Sequence, residues 1–552
     1  THVEAHADFF ANNEWFGLYA DDPDAAARLE RHADTIEGYM SDPDIGREAV
    51  ESFVDHVLCL EDCIDQHRPF STVDDAAAPI EAADIDERLD ELGLTDEVRG
   101  QVFDDDWLEA QRETDEAPTF PSTPDTDVLG FLRAHGKQYD EDAGKAVEMD
   151  DWQKDVLEML RREAYYFAPQ RMTKVMNEGW AAYWESMMMG EERFADVDEF
   201  LSYADHQARV LNSPGLNPYK LGKELWEYIE NQTNRREVIE RLLQVEGVTW
   251  RNFHDAVDLE AVLDALEPDP AIDEIRPETL DRLDPDDPRV DAAGLDAARA
   301  GEVDVGAYPW KVLTYEGLAE RHYSLVKPQF RGFVGRLSQN DLERIARYLF
   351  DYDRYSSVEE ALADVDRTAG WDRMREIRES HNDVTFIDEF LTQEFVDEQN
   401  YFAYEHTRST RDFRVTSTDV EDVKKKLLLQ FTNFGKPTVT VHDANYENRN
   451  ELLLGHHYNG VELDVPQARR VLERTFELWG RPVNLKTIVK EMDEREIEIA
   501  RRRDREPEPE EVGKLVRYDG EEFTERDLTD EEVADITAND VDYDTKPDEW
   551  LG

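Results

Sequence analysis

The stretch VMNEGWAAYWE, residues 175–185, decides how the chain is read. It reads as helix, and it carries two carboxylates, Glu178 and Glu185. Seven residues is close to two helical turns, so both acids fall on one face with only the small Ala182 between them. A helix rich in Trp and Tyr that stacks two acids over an alanine either wets that face or holds something there.

Working outward, helical patterns fill residues 1–66, 148–190 (with WQKDVLEMLRREAYYF), the block to about 265, and 310–430 (with NDLERIARYLFDYD). These predict a mainly α protein whose large helical domain covers 1–430. Acidic insertions interrupt it at 68–130 and 267–305. The first contains TFPSTPDTD, and the Pro/Asp-rich run 267–291 reads as a linker or surface loop. After residue 430 the pattern changes. PTVTVHD is β-rich, and Asn459-Gly460 between ELLLGHHY and VELD is a hairpin signal. VPQARRVLERTFELWG is an amphipathic helix ending at Gly480, and PVNLKTIV returns to strand. The expectation is a small α+β module over 431–500, then a charged hairpin around Asp519-Gly520 and a solvated tail within 501–552.

Composition narrows the function classes. The chain has 552 residues, 40% hydrophobic, which is globular. It carries 62 basic and 131 acidic residues, a net charge of −69, with the acids spread along its length. Such a surface repels nucleic acid and anionic membranes. It suits a cytoplasmic protein of a high-salt organism, where salt screens the self-repulsion. No apolar run approaches the ~20 residues of a membrane span. The two cysteines, Cys59 and Cys63, fit a reducing compartment. The chain opens at Thr1, without Met and inside a helical pattern, so a longer polypeptide is expected.

Several constellations can carry chemistry. His2 and His6 in THVEAHADFF are four apart, so on a helix both rings share a face and can grip one metal ion. Two unrelated helix histidines are the plain alternative. His206 precedes the Gly/Pro/Asn-rich loop of SYADHQARVLNSPGLNPYKLG, and reads as an acid, a transition-state stabiliser or an extra ligand, or plainly as a capping or core histidine. His56, Cys59, Cys63 and His67 would line one helical stripe too long to wrap one ion, which reads as a half-buried face. His456 and His457 fall on opposite faces of a strand. No glutamate stands three residues before any of the fourteen histidines, which sets aside a ferritin-like di-iron site.

Asn177-Glu178-Gly179-Trp180-Ala181 closely resembles the Asn-Glu-Gly-aromatic-Ala motif of gluzincin aminopeptidases. That resemblance implies a zincin-like domain in which His2, His6 and Glu178 hold Zn²⁺ or another divalent metal, with a fourth position open. Gluzincins place their general base directly after the first histidine, and here that position is Val3. Glu4 points to the opposite helix face. Glu185 is then the local candidate for the base, with a supporting acid that orients a histidine as the alternative. Asn177, Asn217 and Tyr219 are the expected substrate pocket.

Longer stretches resemble the stage V sporulation protein R (SpoVR) family. They are HVEAHADFFANNEWF (2–16), YYFAPQRMTKVMNEGWAAYWES (165–186), LNPYKLG (216–222), FIDEFLTQEF (386–395), RDFRV (411–415), TNFGKPTVTVHDANYENRNELLLGHHYNGVELD and LWGRPVNLKT. The family keeps the two N-terminal histidines without an adjacent glutamate, and most bacterial members have His where this chain has Glu185. The resemblance implies two possible partners, a PrkA-type serine protein kinase and a von Willebrand-type domain protein, whose genes neighbour the family's in many genomes. Two functions follow. One is a metal-dependent hydrolase of an amide or peptide bond, with His2, His6 and Glu178 on the metal and Glu185 or His206 assisting. The other is a non-catalytic regulatory protein working with the kinase and its partner.

Overall fold

A computed structural model describes residues 1–19, 25–68, 119–140, 144–192, 203–205, 207–210, 216–331, 337–407, 412–491 and 510–537. The protein is mainly α with a small α+β module, as the hydropathy patterns predict. It divides into two compact units that do not follow chain order. The first comprises Thr1–Gly17 and Gln170–Leu428, the second Leu18–Pro169 and Leu429–Gly552.

The first unit is helical. Its framework is α1 (His2–Asn12), α2 (Lys174–Glu185), α3 (Pro218–Leu243) and α4 (Ala369–Ser380). The apolar face of α2 buries Val175, Met176, Trp180 and Ala181, and this forces α2 against both α1 and α3. Asn217 starts α3 as its N-cap, with Oδ1 accepting from the Tyr219 and Lys220 amides and Pro218 at the first helical position. The α2–α3 crossing is close because a glycine from each helix meets there. A Cβ on Gly179 would lie 2.3 Å from the Gly222 carbonyl carbon. Trp226 of α3 donates its indole N–H to the Met176 carbonyl at 3.0 Å.

A second link between α2 and α3 has a pH signature. Glu230 is 4% exposed, and its Oε2 accepts from the Tyr183 hydroxyl at 2.7 Å. Burial pushes its carboxyl up to about 7. The folded state therefore holds this proton more tightly than the unfolded chain. The resulting stability is complete below the ordinary carboxyl range and is lost as pH rises through about 7. Glu230→Gln keeps the acceptor and removes the ionisation. Urea unfolding from pH 5 to 8 should show a flatter pH dependence in this variant, by about one proton, and higher stability at pH 8 by ~2–3 kcal/mol.

The run read from sequence as a linker or surface loop, 267–291, is instead structured. Aspartates cap two short helices, one inside the run and one at its end. Asp269 caps Pro270–Asp273 and Asp291 caps Ala292–Arg299. Ile272, Ile275, Leu280, Leu283, Val290 and Leu295 belong to one hydrophobic cluster there. The insertion expected at 68–130 lies mostly outside the described residues.

The second unit holds a five-stranded sheet: β1 (Val439–Tyr446), β2 (Glu451–His456), β3 (Val483–Glu491), β4 (Glu510–Tyr518) and β5 (Phe523–Asp527), in that order. Helix α5 (Val465–Trp479) joins β2 to β3, which are parallel, and all other pairs are antiparallel. The hairpin expected at Asn459-Gly460 does not form. Asp464 caps α5 directly after the turn, so VELD leads into a crossover helix instead of a returning strand. The hairpin at Asp519-Gly520 does form, between β4 and β5. His456 bonds to Thr487 and His457 to Thr440. The expected stripe of His56, Cys59, Cys63 and His67 is not one helix, because the helix Arg47–Leu58 ends before Cys59. Burial pushes the two thiols up to about 11 and about 12, so both stay protonated. No helix among the described residues is long and apolar enough to cross a membrane.

Candidate metal centre

The site is built from α1, α2 and the start of α3, all within the first unit. Ala5 and Phe9 bury one face of α1. His2 and His6 follow each other one turn apart on a half-buried edge that meets α2. Their Nε2 atoms lie 3.1 Å apart. His6 Nε2 is 3.6 Å from Glu178 Oε2 on α2. Among the described residues, His2, His6 and Glu178 form the group able to hold a metal ion, with ligand atoms all within 4.8 Å of one another.

The outer nitrogens explain this convergence. His2 Nδ1 donates to Glu185 Oε2 at 3.1 Å, and His6 Nδ1 donates to Asn177 Oδ1 at 2.8 Å. With both Nδ1 atoms protonated, both Nε2 lone pairs face inward at each other, an arrangement that a shared cation relieves. The spacing fits one. Two nitrogens at ~2.0–2.1 Å from a zinc-like ion in distorted tetrahedral geometry stand roughly 3–3.4 Å apart. The donor set of two imidazoles and one carboxylate suits a borderline divalent ion.

The other predicted residues take distinct places. Glu185 sits in the supporting shell, touching His2, and its Oε2 also accepts from Gln207 at 2.7 Å. This hydrogen bond is the main cause that raises the His2 imidazole above its ordinary range. Tyr219 stacks on His2 at 6.5 Å with rings 15° apart, and its hydroxyl bonds to Glu178. Burial, then that carboxylate, pushes the phenol up to about 12, so it stays a donor. Asn177 orients His6. Asn217 spends its amide as the α3 cap and on the Val210 carbonyl. His206 lies outside the described residues. Val3 is 76% exposed and Glu4 is exposed too, so neither position beside His2 brings an acid to the ligand cluster. Sequence reading missed Gln207. No spacing rule selects it, since it reaches Glu185 only through the fold.

The chain resembles known proteins along most of its length. The family described as "SpoVR like protein" matches residues 1–258 and 322–436, and "SpoVR-like C-terminal domain" matches 437–490. The capped short helices of the 267–305 insertion fall in the unmatched interval between the first two segments. The chain is similar to a protein of Escherichia coli (strain K12) named "Uncharacterized protein YcgB", at 32% identity over 137 residues. That match covers 22% of this chain and 24% of that relative's length. No solved structure matches.

Proposed function

The chain belongs to the SpoVR family, and from that premise we propose that it is a zincin-like, metal-dependent hydrolase of an amide or peptide bond. The observation that carries this reading is the convergence of His2, His6 and Glu178, with both histidines oriented from behind. A ligand set of three protein groups is the catalytic pattern, whereas structural zinc sites close with four. When bound, a divalent ion such as Zn²⁺ supplies Lewis-acid polarisation of the substrate carbonyl. The chain's own residues do the rest. Glu185 and Asn177 fix the imidazoles, and Tyr219 holds Glu178. Glu185 is the acid proposed for proton transfer, because Val3 carries no acid and Glu4 lies on the opposite face of α1. His206 is the second candidate for that step. Asn217, buried and spent as the cap of α3, acts only by holding the start of that helix, where Tyr219 sits.

Exposed Val3, at the position where gluzincins carry their base, favours a second reading. In it the protein is a non-catalytic regulator working with a PrkA-type serine kinase and a von Willebrand-type partner, and the metal is structural. In both readings the acidic surface suits the cytoplasm of a high-salt organism and no nucleic acid partner.

Elemental analysis of protein purified in high salt should find one divalent ion per chain. Absence of stoichiometric metal would sink the site. Amide hydrolysis that is lost on chelation and restored by Zn²⁺ separates the enzyme from the regulator.

A further inference from the structure

The two ligand-bearing helices need a fixed register, and one short turn in the first unit touches both. Asp8 lies on α1, two residues past His6. Its Oδ2 accepts from the Trp180 indole of α2 at 3.0 Å and from Arg378 Nη1 of α4 at 2.6 Å. Arg378 is buried, with its guanidinium 5.2 Å from the centre of the Trp180 ring. Just past the end of α1, the buried Asn13 amide donates to the carbonyls of Arg378 and His381, at 2.7 and 2.9 Å. Two residues after His381, the buried Asp383 carboxylate accepts from the Val175 and Met176 amides at 2.8 and 2.9 Å, capping the start of α2. The side chain and backbone at one end of this turn therefore hold α1, and the carboxylate at the other end holds α2.

We propose that the turn Arg378–Asp383 is the positioning element of the metal centre, registering α1 against α2 so that His2 and His6 meet Glu178. The inference rests on the metal reading above and adds residues that touch no ligand. Each group has a defined part. Asp8 and Asn13 tie α1 along its length, so the histidine edge can neither slide nor roll. Asp383 fixes the end of α2 that leads into Asn177 and Glu178. Small displacements of ligands weaken metal binding strongly, and loss of a supporting group typically costs 10–100-fold in affinity.

Asp8 is the residue to test, because its side chain is 45% exposed and Asp8→Asn removes a charge without opening a cavity. The experiment titrates Zn²⁺ and Co²⁺ into the full chain in high salt, with a competing chelator. Glu4→Gln, on the exposed side of α1, is the control. The expected result for Asp8→Asn is binding about 10–100-fold weaker, a shifted Co²⁺ ligand-field band, and a metal-free melting temperature near wild type. Arg378→Lys, which keeps the charge, should fall between Asp8→Asn and wild type. Glu4→Gln should match wild type. If wild type binds one ion and Asp8→Asn shows the same affinity and spectrum, the metal site stands and the positioning role is overturned. If wild type binds no ion, both readings fall.

Discussion

Glu178→Ala is expected to abolish stoichiometric metal binding while leaving the protein folded. Glu178 contributes the carboxylate of the three-residue ligand cluster, and its side chain is partly exposed, so truncation removes little packing. Two imidazoles at 3.1 Å remain, and two ligands on one helix cannot enclose an ion. The affinity loss should exceed the ~10–100-fold typical of a supporting residue. Chelator-competition titration measures it, with circular dichroism reporting the fold. Glu185→Gln is the contrasting case. Glu185 contacts the outer nitrogen of His2, not the inner one, so the variant should retain the ion at moderately reduced affinity. Complete metal loss in Glu185→Gln would make Glu185 a ligand and exclude it as the base.

This contrast marks the limit of sequence reading at the site. Helical spacing places Glu178 and Glu185 on one face, and the motif likeness singles out Glu178. Neither shows that Glu185 reaches His2 across 183 positions of chain, because that contact depends on how α1 docks. Asn177 and Asn217 look alike in sequence as polar residues beside aromatics. The fold turns one toward His6 and makes the other a helix cap. The Asn217-Pro218 pair carries that outcome in its chemistry, a cap followed by a first-turn proline. Asp269-Pro270 carries the same chemistry, and with the Asp291 cap it builds short capped helices where composition suggested a linker. The hairpin signal at Asn459-Gly460 was overridden by the capping residue Asp464, four positions on. Local signals compete, and the winner is the one whose product buries an apolar face, here that of α5.

Gly222→Ala should be the most damaging small substitution in the first unit, and the reason is contact, not backbone conformation. Gly179 and Gly222 both sit in regular helix and need no left-handed dihedral. What they provide is closeness. A Cβ on Gly222 would lie 2.0 Å from the Val175 carbonyl oxygen and 2.8 Å from Gly179 Cα, both backbone atoms that cannot rotate away. The helices would have to separate, which breaks the Trp226–Met176 and Tyr183–Glu230 hydrogen bonds that join them. The expected cost is ~3 kcal/mol or more, the upper end for overpacking, where an exposed Gly→Ala in a helix usually gains ~0.5–1 kcal/mol. Gly38, in the helix Ala25–Ser41 with nothing within 4 Å of a built Cβ, supplies that opposite sign. Denaturant unfolding of the two variants in the same salt should therefore move in opposite directions. Gly222→Ala should also weaken metal binding, because Glu178 is the neighbour of Gly179 and Tyr219 lies one helical turn before Gly222. A Gly222→Ala protein with wild-type stability would show that the α2–α3 crossing is looser than these distances require, and that the site does not depend on it.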